Sequence, residues 1–277
     1  MSFLLGSNMR FRQNSFIKVL PLIFLFTIGY SYSQSFTVDP VSNLTISDGL
    51  AHNGISCLLE DSRGYIWIGT YDGLNKYDGV NFETFKNSPD HELIASNRVR
   101  SLAEDSKGNI WVGTDDGITV YNFRTKQFKL LFTNKNRANR LNGPIVRSII
   151  VNKKDSVIIC ATEQEGVLIF NSDYKLLKRL QPFIGSSKNK IMFHEGISLE
   201  ENRLVFATSV GLLQFHWKQN RWKQILGKEI PASISVTKLS HKQLGIALNS
   251  GIAIVNINTR EGGTELVKKV LIYREAI

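Results

Sequence analysis

From residue 55 onward, short apolar runs alternate with polar turns that are rich in glycine and aspartate. Each run in the first set has four or five residues, which suits a strand and is too short for a helix. Asp-Gly turns fit tight hairpins, because glycine adopts a positive φ at no steric cost. The pattern therefore predicts four short strands joined by hairpins, at 55–59, 65–69, 74–77 and 82–85.

This four-strand unit is repeated along the chain. Residues 55–74 align without a gap with residues 99–118, at an offset of 44. Looser copies follow, and the central glycines of the five units are separated by 44, 49, 45 and 40 residues. These central glycines are Gly73, Gly117, Gly166, Gly211 and Gly251. The first two units also share Trp67 and Gly69, which recur as Trp111 and Gly113.

A period of roughly 40 to 50 residues that contains four strands is typical of a β-propeller blade. The sequence thus predicts an all-β fold, a β-propeller of four-stranded blades with about five blades present. A blade packs both faces against its neighbours, so its middle strands should be apolar throughout, as the run 65–68 is. We expect Trp67 and Trp111 to pack between blades rather than to stack on sugars. The glycine or alanine at 69, 113, 161, 207 and 247 should allow close approach near the propeller centre.

Strand-like segments flank the five units. Ser35 to Val38 and Asn43 to Ile46 precede the first unit, and Glu265 to Tyr273 is predicted as a further strand after the fifth. In closed propellers a strand from one end of the chain completes the last blade and removes free strand edges.

The N-terminus has the layout of a secretory signal peptide. Three basic residues precede the apolar run 19–30, and small residues follow it at 31–33. Twelve apolar residues are too few for a membrane span of about twenty. We interpret residues 1–33 as a signal peptide cleaved near Ser33, with an uncleaved anchor as the alternative, and residues 34–277 as a partial propeller domain. The domain is therefore predicted to be periplasmic, with no membrane span after cleavage.

Export limits what the formal net charge of +10 can mean. Residues 1–33 hold three basic side chains and no acidic one, so the exported part carries +7. A nucleic-acid partner is implausible in that compartment, whereas a basic surface suits an acidic polysaccharide or a membrane. The charges are scattered, which favours ordinary solvated faces. Cys57 and Cys160 lie in apolar runs and are interpreted as small buried hydrophobic residues rather than as a disulfide.

The segment from Asp48 to Gly79, which contains Glu-Asp-Ser-Arg-Gly-Tyr-Ile-Trp-Ile-Gly-Thr, resembles the two-component regulator propeller repeat. The resemblance is specific in the first two units and loose in the next three. It implies the periplasmic sensor part of a hybrid two-component histidine kinase, with two seven-bladed propellers, a kinase and a DNA-binding domain in a complete member, and polysaccharide breakdown products as ligands. The chain has five units where the resemblance implies seven blades, which indicates an incomplete propeller. The chain shows no kinase motif after its units, and the resemblance thus gives this chain no catalytic activity.

A search for chemistry finds no catalytic site, metal site or cofactor site. The histidines show no metal-ligand spacing and are interpreted as surface or turn residues. The acidic pairs Glu60-Asp61, Glu104-Asp105 and Asp115-Asp116 recur at strand ends, which favours Asx turns over acid-base catalysis. The five histidines are His52, His91, His194, His216 and His241.

The remaining ligand-binding candidates are polar residues in the loops that lead into the first strand of a unit. The predicted function is non-catalytic ligand recognition, with an oligosaccharide as ligand and the missing remainder of the sensor or a second copy as partner. The alternatives are an exported propeller enzyme acting on polysaccharides, a standalone interaction module, and a gene fragment without function. The candidate residues are His52, Asn53, Asn97, Arg98, Arg100 and Arg147.

Overall fold

Strands account for most of the chain that the computed structural model describes. The described residues are 43–90, 92–132, 143–182, 190–199, 203–217, 219–226, 230, 232–257 and 264–271. The chain divides after Asn43, and every strand belongs to the unit Leu44–Ile277. The predicted signal peptide, the predicted strand at 35–38 and His91 lie outside the described residues.

Within the described residues, twenty strands form five antiparallel sheets of four, and in each sheet neighbours in sequence are neighbours in space. Blade one comprises β1 (Ile55–Glu60), β2 (Ile66–Thr70), β3 (Gly73–Tyr77) and β4 (Phe82–Phe85). Blade two comprises β5 (Val99–Glu104), β6 (Ile110–Thr114), β7 (Gly117–Asn122) and β8 (Gln127–Leu131). Blade three comprises β9 (Val146–Asn152), β10 (Val157–Thr162), β11 (Val167–Asn171) and β12 (Leu176–Leu180). Blade four comprises β13 (Phe193–Leu199), β14 (Arg203–Thr208), β15 (Gly211–His216) and β16 (Arg221–Ile225). Blade five comprises β17 (Ser233–Ser240), β18 (Gln243–Leu248), β19 (Gly251–Ile257) and β20 (Thr264–Leu271).

The first strand of each blade lies beside the first strand of the next, from β1 through β5, β9 and β13 to β17. The five first strands are therefore innermost, and the fourth strands form the outer edge. This arrangement is a β-propeller, so the predicted fold class, the four-stranded blades and the five units are all confirmed.

The turn between the second and third strands is built in the same way in four blades. In blade one the Thr70 hydroxyl donates to the Gly73 carbonyl oxygen at 2.8 Å and accepts from the Asp72 amide at 3.1 Å. Thr114, Thr162 and Thr208 make the equivalent bonds, and all four threonines are fully buried. The glycine that follows has a positive φ in every blade, which explains why glycine recurs there. Blade five has Leu248 in place of the threonine.

Aspartates at 61 and 105 tie the first turn of a blade to its tryptophan. One carboxylate oxygen of Asp61 accepts from the amides of Arg63 and Tyr65, and the other accepts from the Trp67 indole at 2.9 Å. Asp105 binds the Trp111 indole at the same distance. The predicted Asx turns are thus present at Asp61 and Asp105, and each also satisfies a buried indole N–H.

Apolar side chains fill the space between blades. Trp67 is fully buried, and its ring lies 5.2 Å from that of Tyr121 in blade two. A Cβ atom added at Gly69 would lie 2.4 Å from the Cys57 sulfur and 2.7 Å from Val99 of blade two. The blades therefore approach each other closely at this position, near the innermost strands.

Three expectations differ from the structure. Residues 43–46 form no strand, because Thr45 and Asp48 make a capping box that starts a short 3-10 helix, Ile46–Asp48. The predicted strand at 265–273 exists as β20, but it is the outer strand of blade five rather than an addition to it. Cys57 is half-buried rather than buried, and both cysteines are free.

In the part of the chain that the structure describes, no helix is long and apolar enough to cross a membrane.

Candidate ligand-binding face

The two faces of the propeller differ in what they present. We call one of them the upper face. It contains the starts of the first strands and the turns that join second strands to third strands. The first-to-second-strand and third-to-fourth-strand turns lie on the opposite, lower face. Because the upper face collects residues from the innermost strands of every blade, side chains from different blades meet there.

A β-bulge occurs at the start of the first strand in all five blades. In blade two, Val99 pairs with Thr114 and Ser101 pairs with Gly113, so Arg100 has no cross-strand partner. The other blades show the same shift in register. A bulge leaves one residue unpaired and redirects its side chain. The bulged residues are Ser56, Arg100, Arg147, His194 and Ile234.

Two arginines of blade two converge on one carboxylate. Arg100 donates to both oxygens of Asp115, at 2.5 and 3.0 Å, and its side chain is only 14% exposed. Arg98 reaches the same carboxylate at 3.7 Å and is about half exposed. The hydrogen bond with Asp115 raises the pKa of Arg100 above its ordinary value, so the guanidinium is always charged. One guanidinium is thus fixed by the scaffold while its neighbour is open to solvent.

The same pairing recurs in blade three. Arg147 donates to Glu163 at 2.5 Å, and Glu163 follows Thr162 as Asp115 follows Thr114. His194 of blade four is half-buried beside this pair. Burial and the nearby Arg147 lower the pKa of His194, and Glu163 opposes the shift. The imidazole is therefore neutral at pH 7 and can both donate and accept a hydrogen bond.

Blade one adds an aromatic ring to this set. Tyr71 occupies the position of Asp115 and Glu163, is 48% exposed, and lies 4.9 Å beneath the Arg98 guanidinium. The His52 ring is 5.9 Å from the Tyr71 ring. We call the connected side chains of blades one to four the arginine arc. Its members are Tyr71, Arg98, Arg100, Asp115, Arg147, Glu163 and His194.

The structure separates the six sequence candidates into two groups. Arg98, Arg100 and Arg147 belong to the arginine arc, and His52 lies at its edge. Asn53 and Asn97 instead cap loops, because their side-chain oxygens accept from the amides of Ile46 and Asn87.

Sequence reasoning missed Tyr71, Glu163 and His194, and it assigned Asp115 to a turn rather than to an ion pair. One signal was present in the sequence. The residue after the turn threonine differs in every unit, being Tyr71, Asp115, Glu163 and Ser209 in the first four, whereas the threonine itself does not change. The histidine prediction was right for His52 and His241 and wrong for His194 and His216, which lie on β13 and β15.

The arc suits recognition better than metal chemistry. Among the described residues no group of three histidine, cysteine or acidic side chains is placed to hold a metal ion. Both carboxylates are engaged by guanidinium groups, which form planar, bidentate contacts. Guanidinium, imidazole and phenol groups in one row offer hydrogen bonds, positive charge and an aromatic face to a ligand with hydroxyl or anionic groups.

Comparison with known proteins identifies the repeat. Residues 49–72 and 94–116 match the family model described as two component regulator propeller. These two segments are similar to the two-component regulator propeller repeat. They cover the first two strands of blades one and two and contain Tyr71, Asp115 and the Asp-Trp pairs.

One relative in sequence and one in fold have names that refer to signalling. Over 48 residues the chain is 40% identical to Histidine kinase P4 of Formosa agariphila, a match covering 17% of this chain and 4% of that protein. The fold is similar to the extracellular domain of B. thetaiotaomicron BT3049, designated a hybrid two component system. That likeness has a TM-score of 0.66 and 20% identity over 81% of this chain and 31% of the other. The chain thus spans about a third of that domain.

The fold is also shared with an enzyme. Virginiamycin B lyase from Staphylococcus aureus superposes with a TM-score of 0.57 and 15% identity, over 78% of this chain and 70% of the lyase. Identity this low shows a common fold and nothing about activity. The match of residues 49–72 and 94–116 to the two component regulator propeller model is therefore the more specific similarity.

Proposed function

We propose that this chain is the exported, non-catalytic ligand-recognition propeller of a hybrid two-component signalling protein, and that its ligand is an oligosaccharide with carboxylate or sulfate groups. The arginine arc carries this proposal. It brings three guanidinium groups, one neutral imidazole and one half-exposed phenol together from four blades. The repeat match and the histidine kinase relative support the signalling context.

The charges of the arc explain the preference for an acidic sugar. Arg98 and Arg147 have side chains that are 47% and 33% exposed, so their remaining N–H groups face solvent. A ligand carboxylate can accept two parallel hydrogen bonds from such a group. Tyr71 supplies an apolar surface for a sugar ring, and the edge of the neutral His194 ring supplies a donor and an acceptor for hydroxyls.

Isothermal titration calorimetry of the purified chain with neutral and uronate-containing oligosaccharides tests the proposal. We expect the acidic ligand to bind more tightly and its affinity to fall about tenfold in Arg98→Gln and Arg147→Gln. Arg63→Gln is the matched control, because Arg63 lies on the lower face and pairs with Glu104 in the same manner. Equal loss in the control, or no preference for acidic ligands, would contradict the proposal.

The same samples test the enzyme alternative. Asp115 and Glu163 are the carboxylates of the arginine arc, and a propeller lyase shares the fold. We expect mass spectrometry to recover the oligosaccharide unchanged after prolonged incubation. Cleavage that disappears in Asp115→Asn or Glu163→Gln would replace ligand recognition with catalysis.

A further inference from the structure

The lower face contains a cavity between blades two and three that the arginine arc does not use. Its volume is about 520 Å³, which lies in the range of small-molecule sites, roughly 300 to 1,000 Å³. The walls come from the β5–β6 and β7–β8 turns of blade two and the β11–β12 turn of blade three. The cavity is thus built by two neighbouring blades and lies away from the upper face.

The equivalent space between blades one and two is filled. There the Tyr65 and Phe123 rings are 5.8 Å apart, and the Arg63 guanidinium lies 3.8 Å above the Phe123 ring. Lys76 lies 4.2 Å above the Tyr65 ring and 5.5 Å above the Phe123 ring. Two aromatic rings and two cationic side chains pack together at this junction.

The repeat shows why the next junction is open. Advancing by one unit replaces Tyr65 with Asn109 and Phe123 with Ser172, and both replacements line the cavity. The Asn109 side-chain amide is also held in place, because it donates to Asp105 at 3.0 Å. Two large aromatic rings are therefore exchanged for small polar groups while the surrounding scaffold is kept. The cavity therefore depends on the residues at this junction, which differ from those between blades one and two.

The charge and shape of the walls indicate what the cavity binds. Lys107, Arg124 and Lys129 are cationic, and Asp173 is the acidic residue among the lining side chains. Lys107 is held at the rim by Asp173 at 2.7 Å and by the Ser172 carbonyl at 3.0 Å. The Arg124 and Lys129 side chains remain exposed. One wall is aromatic, because Tyr174 packs against the buried Trp111 at 5.7 Å and lies beneath Lys129 at 5.1 Å.

We infer that this cavity is a second binding site, separate from the arginine arc, for a small saccharide that carries an anionic group. Arg124 and Lys129 bind the anionic group, the Ser172 hydroxyl binds a sugar hydroxyl, and the Tyr174 ring supports the sugar ring. Asn122 shapes the wall, because its side-chain oxygen accepts from the Arg124 and Thr125 amides. A bare inorganic anion would contact the cations and leave the hydroxyl and aromatic walls unused. The inference does not depend on what the upper face recognises.

Titration of the full chain with D-glucuronate, D-glucose and inorganic sulfate, followed by calorimetry and by NMR shift changes, tests this site. We expect glucuronate to bind, and Lys129→Gln and Arg124→Gln to weaken it about tenfold each. The double variant N109Y/S172F copies the junction between blades one and two and should abolish binding at this site. Arg63→Gln at that junction should change nothing. NMR shift changes at Tyr174 report on this site, whereas shift changes at Tyr71 report on the arginine arc.

Three results would overturn the inference. The first is no binding of glucuronate to the folded chain. The second is binding that survives N109Y/S172F with circular dichroism showing the wild-type fold. If that variant fails to fold, unchanged binding in both charge variants is equally decisive. The third is equal affinity for sulfate and glucuronate, which would reduce the site to a bare anion site.

Discussion

Replacing Asp105 by alanine should destabilise the propeller strongly, because this carboxylate serves buried donors in blade two. It accepts from the Lys107 amide at 2.8 Å, the Asn109 amide at 2.9 Å, the Asn109 side chain at 3.0 Å and the Trp111 indole at 2.9 Å. Asn109 and Trp111 are buried, so water cannot replace the carboxylate at three of these four donors. Only the Lys107 amide lies in an exposed turn.

The size of the effect follows from the number of unsatisfied groups. Each buried donor left without an acceptor costs about 1–3 kcal/mol, and part of this is recovered by relaxation of the turn. We therefore expect Asp105→Ala to lower the free energy of unfolding by about 4 kcal/mol. Asp61→Ala in blade one should cost about 1 kcal/mol less, because Tyr65 stands where Asn109 does and Asp61 serves one donor fewer.

A double-mutant cycle isolates the bond to the indole. Unfolding by urea is followed by far-ultraviolet circular dichroism for the wild type, Asp105→Ala, Trp111→Phe and the double variant. Trp111→Phe removes the N–H group, so Asp105→Ala should cost less in that background. A hydrogen bond to a charged acceptor contributes about 1.5–3 kcal/mol, and the coupling energy should be about 2 kcal/mol. The Asp61 and Trp67 cycle should give a similar value.

A coupling energy below about 0.5 kcal/mol in both cycles would refute the reasoning. It would mean that the Asp-Trp contact contributes to geometry without stabilising the fold.

Three further predictions concern groups outside this motif. Burial raises the pKa of Cys57 to about 11 and raises that of Cys160 further, so neither thiol should react with Ellman's reagent at pH 8 until urea unfolds the chain. The pKa of His194 in the folded chain lies below the ordinary 6.5, so folding favours the neutral imidazole. This contribution to the free energy of unfolding is fully present above pH 6.5. It is lost as the pH falls below 6.5 and through the pKa of the folded state. An anionic ligand should raise the pKa of His194, which NMR titration would show, and the ligand should bind more tightly at lower pH. An unchanged pKa of His194 would exclude contact with the charge of the ligand. Leu58 is 63% exposed and Ile252 is 50% exposed, although the residues matching Ile252 in the other blades are fully buried. Residues 34–277 should therefore self-associate in size-exclusion chromatography, and the double substitution Leu58→Thr and Ile252→Thr should reduce this self-association. A monodisperse wild-type monomer would contradict this expectation.

The blade architecture was predictable because every level of the sequence agrees on it. The apolar runs, the Asp-Gly turns and the offset of 44 all place strands in the same positions, and the observed bounds of blade one differ from the predicted ones by at most one residue. The segment at 43–46 failed for a local reason. Its apolar residues look like a strand, but the Thr45–Asp48 capping box satisfies the backbone in a helical turn instead.

The candidate site was predictable only in part. Loop position indicated Arg98, Arg100 and Arg147, but their partners come from a different turn of the same blade. Asp115 meets Arg100 only because the bulge and the threonine turn bring residues 15 positions apart into contact. The lower-face cavity was harder to predict, because Asn109 and Ser172 form no recognisable motif. The cavity arises because these two side chains are smaller than the aromatic rings at the equivalent positions of the preceding junction.

The bulged position in each blade gives this propeller an unusual capacity for change. A residue with no cross-strand partner can be exchanged without shifting the register of the strand that carries it. This chain already holds serine, arginine, histidine and isoleucine at these five positions. A substitution at such a position therefore changes the side chain at the start of an inner strand while the strand register and the interior stay the same.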